Sequence, residues 1–178
     1  MKIKISLIFV VLYSSLSFSQ TEFTIGGSLG GGSFNGNSSS VSGFTTSIYG
    51  EINIPLFEEV YPRAGLIFIK DFNAILPNTK KPYNPFLIGV FFKGVTYQFF
   101  DNKIFLEEGV GLLALNDQTF IDTNVWDYGV LLSFSVGYDF RNFNLKGFKT
   151  GLGIEYGITF FNTLPQYSSV YAFFQFTI

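Results

Sequence analysis

Trp126-Asp127-Tyr128-Gly129-Val130-Leu131-Leu132-Ser133-Phe134-Ser135-Val136-Gly137-Tyr138-Asp139-Phe140 is apolar at every second residue from Trp126 to Phe140. The residues between are Asp, Gly, Ser and one Leu. Successive side chains of a β-strand point to opposite faces. The stretch therefore presents one greasy face with aromatic ends and one small, polar, acidic face. It is longer than an ordinary globular strand, and its faces suit lipid on one side and a wet interior on the other.

The same alternation recurs along the chain. Leu152, Ile154, Tyr156, Ile158 and Phe160 oppose Gly151, Gly153, Glu155, Gly157 and Thr159. Phe44, Ile48, Ile52 and Ile54 oppose Thr45, Ser47, Tyr49, Glu51 and Asn53, and Phe23, Ile25 and Leu29 oppose Thr24, Gly26, Ser28 and Gly30. Further strands are predicted at 62–73, 86–100, 104–116 and 169–178, giving eight. Polar, irregular connections at 35–41, 74–85, 117–124 and 162–168 alternate with shorter joins near 57–61, 101–103 and 141–147. An even strand count with short turns at one end and longer loops at the other is the pattern of a bacterial outer-membrane barrel, both termini lying on the periplasmic side.

Three segments disturb the alternation. In 86–100, Phe86, Ile88, Val90 and Phe92 have one parity, whereas Val95, Tyr97 and Phe99 have the other. A β-bulge at Gly94 restores a single lipid face there and turns Lys93 inward. In 104–116 the outward set Val110, Leu112 and Ala114 includes Glu108, tolerable near the periplasmic interface. Leu66 to Ile69 is apolar on both faces, so its register stays open.

Composition supports a membrane wall. Charged residues are 13% of the 178, well under the usual quarter, while aromatics reach 20% with 24 Phe and 10 Tyr. A soluble ligand-binding barrel of the lipocalin kind has the same strand count, but its exterior needs many more Lys and Glu. Aromatics gather near strand ends: Trp126, Tyr128 and Phe160 toward one interface, Tyr97, Phe99, Tyr138 and Phe140 toward the other. The net charge of −2 offers no basic footprint, so no nucleic-acid partner is expected. With no Cys and no His, the chain lacks disulfides, His metal ligands and Ser-His or Cys-His nucleophile pairs. No cofactor and no catalytic residue is read from it.

Residues 1–19 read as a signal peptide, with Lys2 and Lys4 ahead of the apolar run Ile5 to Leu12 and small Ser17 and Ser19 before a cut at Gln20. The alternative, an uncleaved anchor, is disfavoured by the shortness of that run. The mature barrel domain is then 20–178.

In 170–178, Val170, Ala172, Phe174, Phe176 and Ile178 alternate with Tyr171, Phe173, Gln175 and Thr177. This resembles the terminal signal recognised by the outer-membrane assembly machinery, although that signal usually ends in an aromatic residue. With these residues, 20–178 resembles the small eight-stranded outer-membrane β-barrel superfamily, of the OmpA-barrel and OmpX type. The resemblance implies an all-β, antiparallel, up-and-down transmembrane barrel. It also implies membership of a group that includes adhesion-associated and surface-structure barrels, envelope anchors and lipid A-modifying enzymes. The enzymes of that group use a His, and this chain has none.

The parities send Glu51, Arg63, Lys93, Glu107, Asp127, Asp139, Lys149 and Glu155 into the lumen. Their mixed signs suit an ion-pair plug, because an eight-stranded interior is just wide enough for side chains and buried charges need partners. A proton or ion path, or acid–base chemistry by paired carboxylates, is the alternative reading. Lys70, Lys80 and Lys81 fall toward the outer loops, where they either meet lipopolysaccharide phosphates or simply snorkel. The expected function is a non-enzymatic outer-membrane barrel, held among lipid and lipopolysaccharide, whose loops meet a protein partner or shape the envelope. A narrow pore or an accessory subunit of a transport or secretion complex is the alternative.

Overall fold

The computed structural model describes residues 22–53, 59–74, 85–120, 124–141 and 146–178. The predicted signal peptide, and Lys80 and Lys81, lie outside the described residues. Eight strands appear in chain order: β1 (Phe23–Asn35), β2 (Val41–Ile52), β3 (Tyr61–Asp71), β4 (Phe86–Phe99), β5 (Ile104–Asp117), β6 (Val125–Asp139), β7 (Gly147–Thr159) and β8 (Gln166–Thr177). A 3-10 turn, Phe72–Ala74, follows β3.

Each strand pairs antiparallel with its chain neighbour, and β1 also pairs with β8, closing the barrel. Closure leaves no strand edge with unpaired backbone groups, which is what permits a sheet to stand in hydrocarbon. The start of β1 and the end of β8 lie at the same end of the barrel as the join between β4 and β5; the connections from β1 to β2 and from β7 to β8 lie at the other. By the outer-membrane convention these are the periplasmic and outer ends.

The alternation of 126–140 is realised residue by residue. Asp127, Leu131, Ser133, Ser135 and Asp139 are buried, while Trp126, Tyr128, Leu132, Phe134, Val136, Tyr138 and Phe140 are exposed on the wall. Leu29, Ile48, Val110, Leu112, Leu152, Ile154, Val170 and Phe174 extend this apolar surface around the barrel. So much exposed hydrocarbon is a lipid-facing surface. Near the periplasmic end Tyr138, Phe140, Phe148 and Phe174 form a chain of rings with centroids 4.6 to 5.4 Å apart.

The expected bulge at Gly94 is not present. β4 pairs without interruption to both neighbours, from Leu87↔Asp117 to Phe99↔Phe105 on one side and from Lys70↔Phe86 to Tyr61↔Val95 on the other. Lys93 does point inward, and so does Val95, fully buried, with Tyr97 beyond it. Tyr97 therefore belongs to the lumen and not to the aromatic girdle. The reason is interior volume. On β5, Gly109 and Gly111 stand beside Val95 and Lys93, and a Cβ at Gly111 would run into the backbone and side chain of Lys93. Bulk on β4 is matched by its absence on β5, so the lumen accepts an apolar pair that hydropathy alone assigns to lipid.

In β3, Ile67 and Ile69 are buried and Leu66 is exposed, so the doubly apolar run divides between lumen and wall. Glu108 is outward, as read from the sequence, opposite Thr96 and Phe134.

Candidate functional site

Among the described residues, charge concentrates in the lumen. Its periplasmic half centres on Arg63, supplied by β3, whose side chain is 3% exposed. Arg63 donates through Nε and Nη2 to Glu51 Oε2 at 2.9 and 2.6 Å, and through Nη1 and Nη2 to Glu107 at 2.8 Å each. β2 brings Glu51 because it lies directly opposite Arg63 in the register. Glu107 comes from β5, across the lumen.

A planar guanidinium with five donors can satisfy two carboxylates at once, and a Lys could not. Tyr97 completes the cluster: its hydroxyl accepts from Arg63 Nη2 at 2.9 Å and donates to Glu51. Gln175 Nε2 donates to the same hydroxyl at 3.2 Å, and Tyr49 lays its ring under the guanidinium, 4.4 Å from Cζ. Room for that ring comes from Gly26, where any Cβ would collide with it.

Lys149 lies beside this cluster without a direct ion pair. Its Nζ stands 3.7 Å from the centroid of the Tyr97 ring and 5.3 Å from that of Phe105, a cation–π arrangement. A second cluster lies farther toward the outer end. Lys93 Nζ donates to Ser133 Oγ at 2.8 Å and to Glu155 Oε2 at 3.3 Å, while the Tyr167 hydroxyl donates to Glu155 Oε1 at 2.7 Å.

Above the charges the lumen turns apolar. Phe34, Ile67, Ile69, Leu87, Leu113, Leu115 and Leu131 are all buried and pack in one cluster with Phe91 and Tyr167. These side chains come from the outer halves of their strands, so the interior is charged toward the periplasm and dry toward the outside. Dispersion and the exclusion of water hold this half together, not ion pairing.

The remaining inward carboxylates serve the rims. Asp127 takes no part in either ion cluster; its Oδ2 accepts from the backbone N–H and hydroxyl of Thr163, fastening the last outer connection. Asp139 pairs locally with Arg141 at 2.8 Å at the periplasmic mouth. Asp71, Asp117 and Asp139 each end a strand and accept the N–H two residues on, from Asn73, Thr119 and Arg141. This is the turn by which a short acidic side chain closes off a strand.

Asp117 does more. Its Oδ2 accepts from the N–H of Asn37 at 2.7 Å. In an eight-strand ring β1 and β5 stand opposite one another, so this bond carries the loop after β1 across the outer mouth. Lys70 faces the wall near the outer end of β3, opposite Phe44 and Phe86.

In the sequence Tyr97 reads as a girdle aromatic, and nothing there marks Gln175, Tyr49, Tyr167 or Asp117 as partners of the lumen charges or loops. Gln175 and Tyr49 already had inward parity, and only their chemistry was overlooked. Among the described residues no group of three His, Cys, Asp or Glu is arranged to hold a metal ion.

No protein-family model matches the sequence, and none of the curated proteins does. Solved structures match the fold. Neisserial surface protein A superposes with a TM-score of 0.65 at 11% identity, over 86% of this chain and 96% of that one. Ail of Yersinia pestis, the attachment invasion locus protein, in complex with the heparin analogue sucrose octasulfate, gives 0.54 at 4% identity, over 89% and 99%. The outer membrane protein OprG from Pseudomonas aeruginosa gives 0.53 at 8%, over 88% and 95%. The chain thus has the fold of the small eight-stranded outer-membrane barrels, with the lipid-facing wall such a barrel requires.

Proposed function

We propose that this outer-membrane barrel is a sealed, non-enzymatic surface protein that acts through its outer connections and wall. The observation that carries the reading is the filled lumen. Paired charge occupies its periplasmic half, an apolar cluster its outer half, and a loop tied to Asp117 crosses its mouth. A barrel so filled is a rigid pedestal, not a conduit. Two proteins of the same fold, Neisserial surface protein A and the attachment invasion locus protein of Yersinia pestis, are in keeping with work done at the cell surface. The lumen carboxylates already have protein partners, which argues against acid–base chemistry there.

In this reading residues 1–19 are removed as a signal peptide and the C-terminal strand, 170–178, engages the assembly machinery. Lys70, Lys80 and Lys81 meet lipopolysaccharide phosphates at the outer leaflet.

The test is mild crosslinking on intact cells followed by proteomics, comparing wild type with a chain in which 36–40 is replaced by a Gly-Ser linker. The expected result is a set of surface partners that disappears with the loop. The mature chain should begin near Gln20, fractionate with the outer membrane and shift its gel mobility on heating. Soluble periplasmic recovery, or partners indifferent to every outer loop, overturns the proposal.

A further inference from the structure

Two features of the outer wall adjoin, one of them roofed by the loop after β1. One is a polar recess of about 310 Å³ under the loop after β1, lined by Ser33, Asn35, the serines at 38–40 and Gln166, with Tyr156 and Ser168 at its edge. The other is a furrow of about 690 Å³, and Tyr156 and Ser168 line it too.

The register explains the furrow. Thr96, Glu108, Phe134, Ile154, Val170 and Gly31 form one row of outward positions, each opposite the next across a strand pair. The parallel row is Gly94, Val110, Leu132, Tyr156, Ser168 and Ser33. The furrow is the channel between these rows. It climbs from near the periplasmic end of β4 to beyond the middle of β1, because strands tilt and hydrogen-bonded rows spiral around a barrel.

The recess is a cluster of uncharged polar groups on a mainly apolar wall. Ser33, Asn35, Gln166 and Ser168 occupy outward positions near the outer ends of β1 and β8, where neighbouring strands present Trp126, Tyr128 and Phe160. Ser33 and Ser168 hydrogen-bond to each other at 3.0 Å, and the Tyr156 hydroxyl donates to Gln166 Oε1 at 3.3 Å. None of the lining residues is charged. Hydroxyls and side-chain amides both donate and accept, which matches a polyhydroxylated group. A phosphate at this site would call for Arg or Lys.

We propose that recess and furrow together hold one molecule of a sugar-headed lipid of the outer leaflet, its uncharged sugar in the recess and an acyl chain along the furrow. The chain runs inward past Tyr156 and Val170 between Leu132 and Phe134. The recess includes the serines at 38–40, so the site shares the loop after β1 with the proposed surface role, but lipid retention is read on the purified barrel with no protein partner present.

Native mass spectrometry of the full barrel in detergent tests this, with monoglucosyl diacylglycerol as the probe and phosphatidylglycerol of the same acyl chains as competitor. Wild type should retain the glucosyl lipid in a one-to-one complex and prefer it over phosphatidylglycerol by about tenfold, the worth of one or two hydrogen bonds. Ser168→Phe fills the junction and should abolish the preference, while Ile48→Phe, on the wall away from the site, should leave it intact. Should Ser168→Phe fail to give a heat-modifiable barrel, the paired Ser33→Ala and Gln166→Ala removes polar atoms without adding bulk and should lower the preference to a similar degree. Equal retention of both lipids, preference for the phosphate head, or preference surviving these changes overturns the proposal.

Discussion

Arg63 sits between Glu51 and Glu107 with almost no contact with water. Replacing it with Leu strands two carboxylates in a closed interior, a loss on the order of 3–5 kcal/mol. Urea titration followed by the fraction of heat-modifiable barrel should register that loss. Arg63→Lys should recover only part of it, because an ammonium cannot make both forked contacts. Full stability in Arg63→Leu would mean that the cluster is not held by this cation. Asp117 poses a different question, since its Oδ2 holds the N–H of Asn37 from across the mouth. Asp117→Ala should cost roughly 1–3 kcal/mol and expose the loop after β1 to protease while the strands stay protected. A loop no more cleavable than in wild type would contradict the strap. The sequence puts Arg63, Glu51 and Glu107 in one inward plug without saying which of them pair, and it gives no sign of the Asp117 strap. Parity gives the direction of a side chain, but its partners come from strands far apart in the chain, as with Glu107 and Arg63.

At the scale of the strand, legibility was high where one residue class dominates each face. β6 could be read in full because lipid and lumen select opposite chemistry at every position but Leu131, which the unbroken parity still sends inward. β4 could not, because the lumen also accepts apolar side chains where β5 offers glycine, and Val95 and Tyr97 then look lipid-facing. That difference makes the register testable. Tyr97→Ala should destabilise the barrel markedly, since it removes a hydroxyl bonded to Glu51 and Arg63 and a ring that covers Lys149. Gln98→Leu, one residue on and outward, should be neutral or stabilising in the same urea titration. The opposite ranking would restore the bulge at Gly94. On β6, Leu132→Arg puts a cation on the lipid face at mid-depth and should cost about 2–4 kcal/mol. Ser133→Arg instead crowds the cluster around Lys93, and a second cation beside that ammonium should impair folding by repulsion. Equal tolerance of the two would mean that the faces are misassigned.

For the whole molecule, the two halves of the lumen act as barriers in series, and that decides what opens it. The sequence suggested ion pairs throughout; in the fold the ion pairs found among the described residues stop partway, Ile67, Ile69, Leu87 and Leu115 fill the outer half, and Asp117 and Asp127 bind loop groups at the rim. An ion crossing the periplasmic cluster still meets a dry segment, and burial of an unpaired charge there costs several kcal/mol. Wild type in a planar bilayer should therefore show no steady conductance. Phe91→Ala with Leu115→Ala should thin the apolar barrier, at a stability loss of about 2–5 kcal/mol for each truncation, yet the cluster around Arg63 still blocks the path. Arg63→Ala alone opens the charged half and leaves the apolar one. Only the combination should pass current, and then in small steps, because eight strands leave little width even when side chains are removed. Conductance from either half-opened barrel would show that a single barrier seals the lumen, and large stable currents from wild type would make the protein a pore.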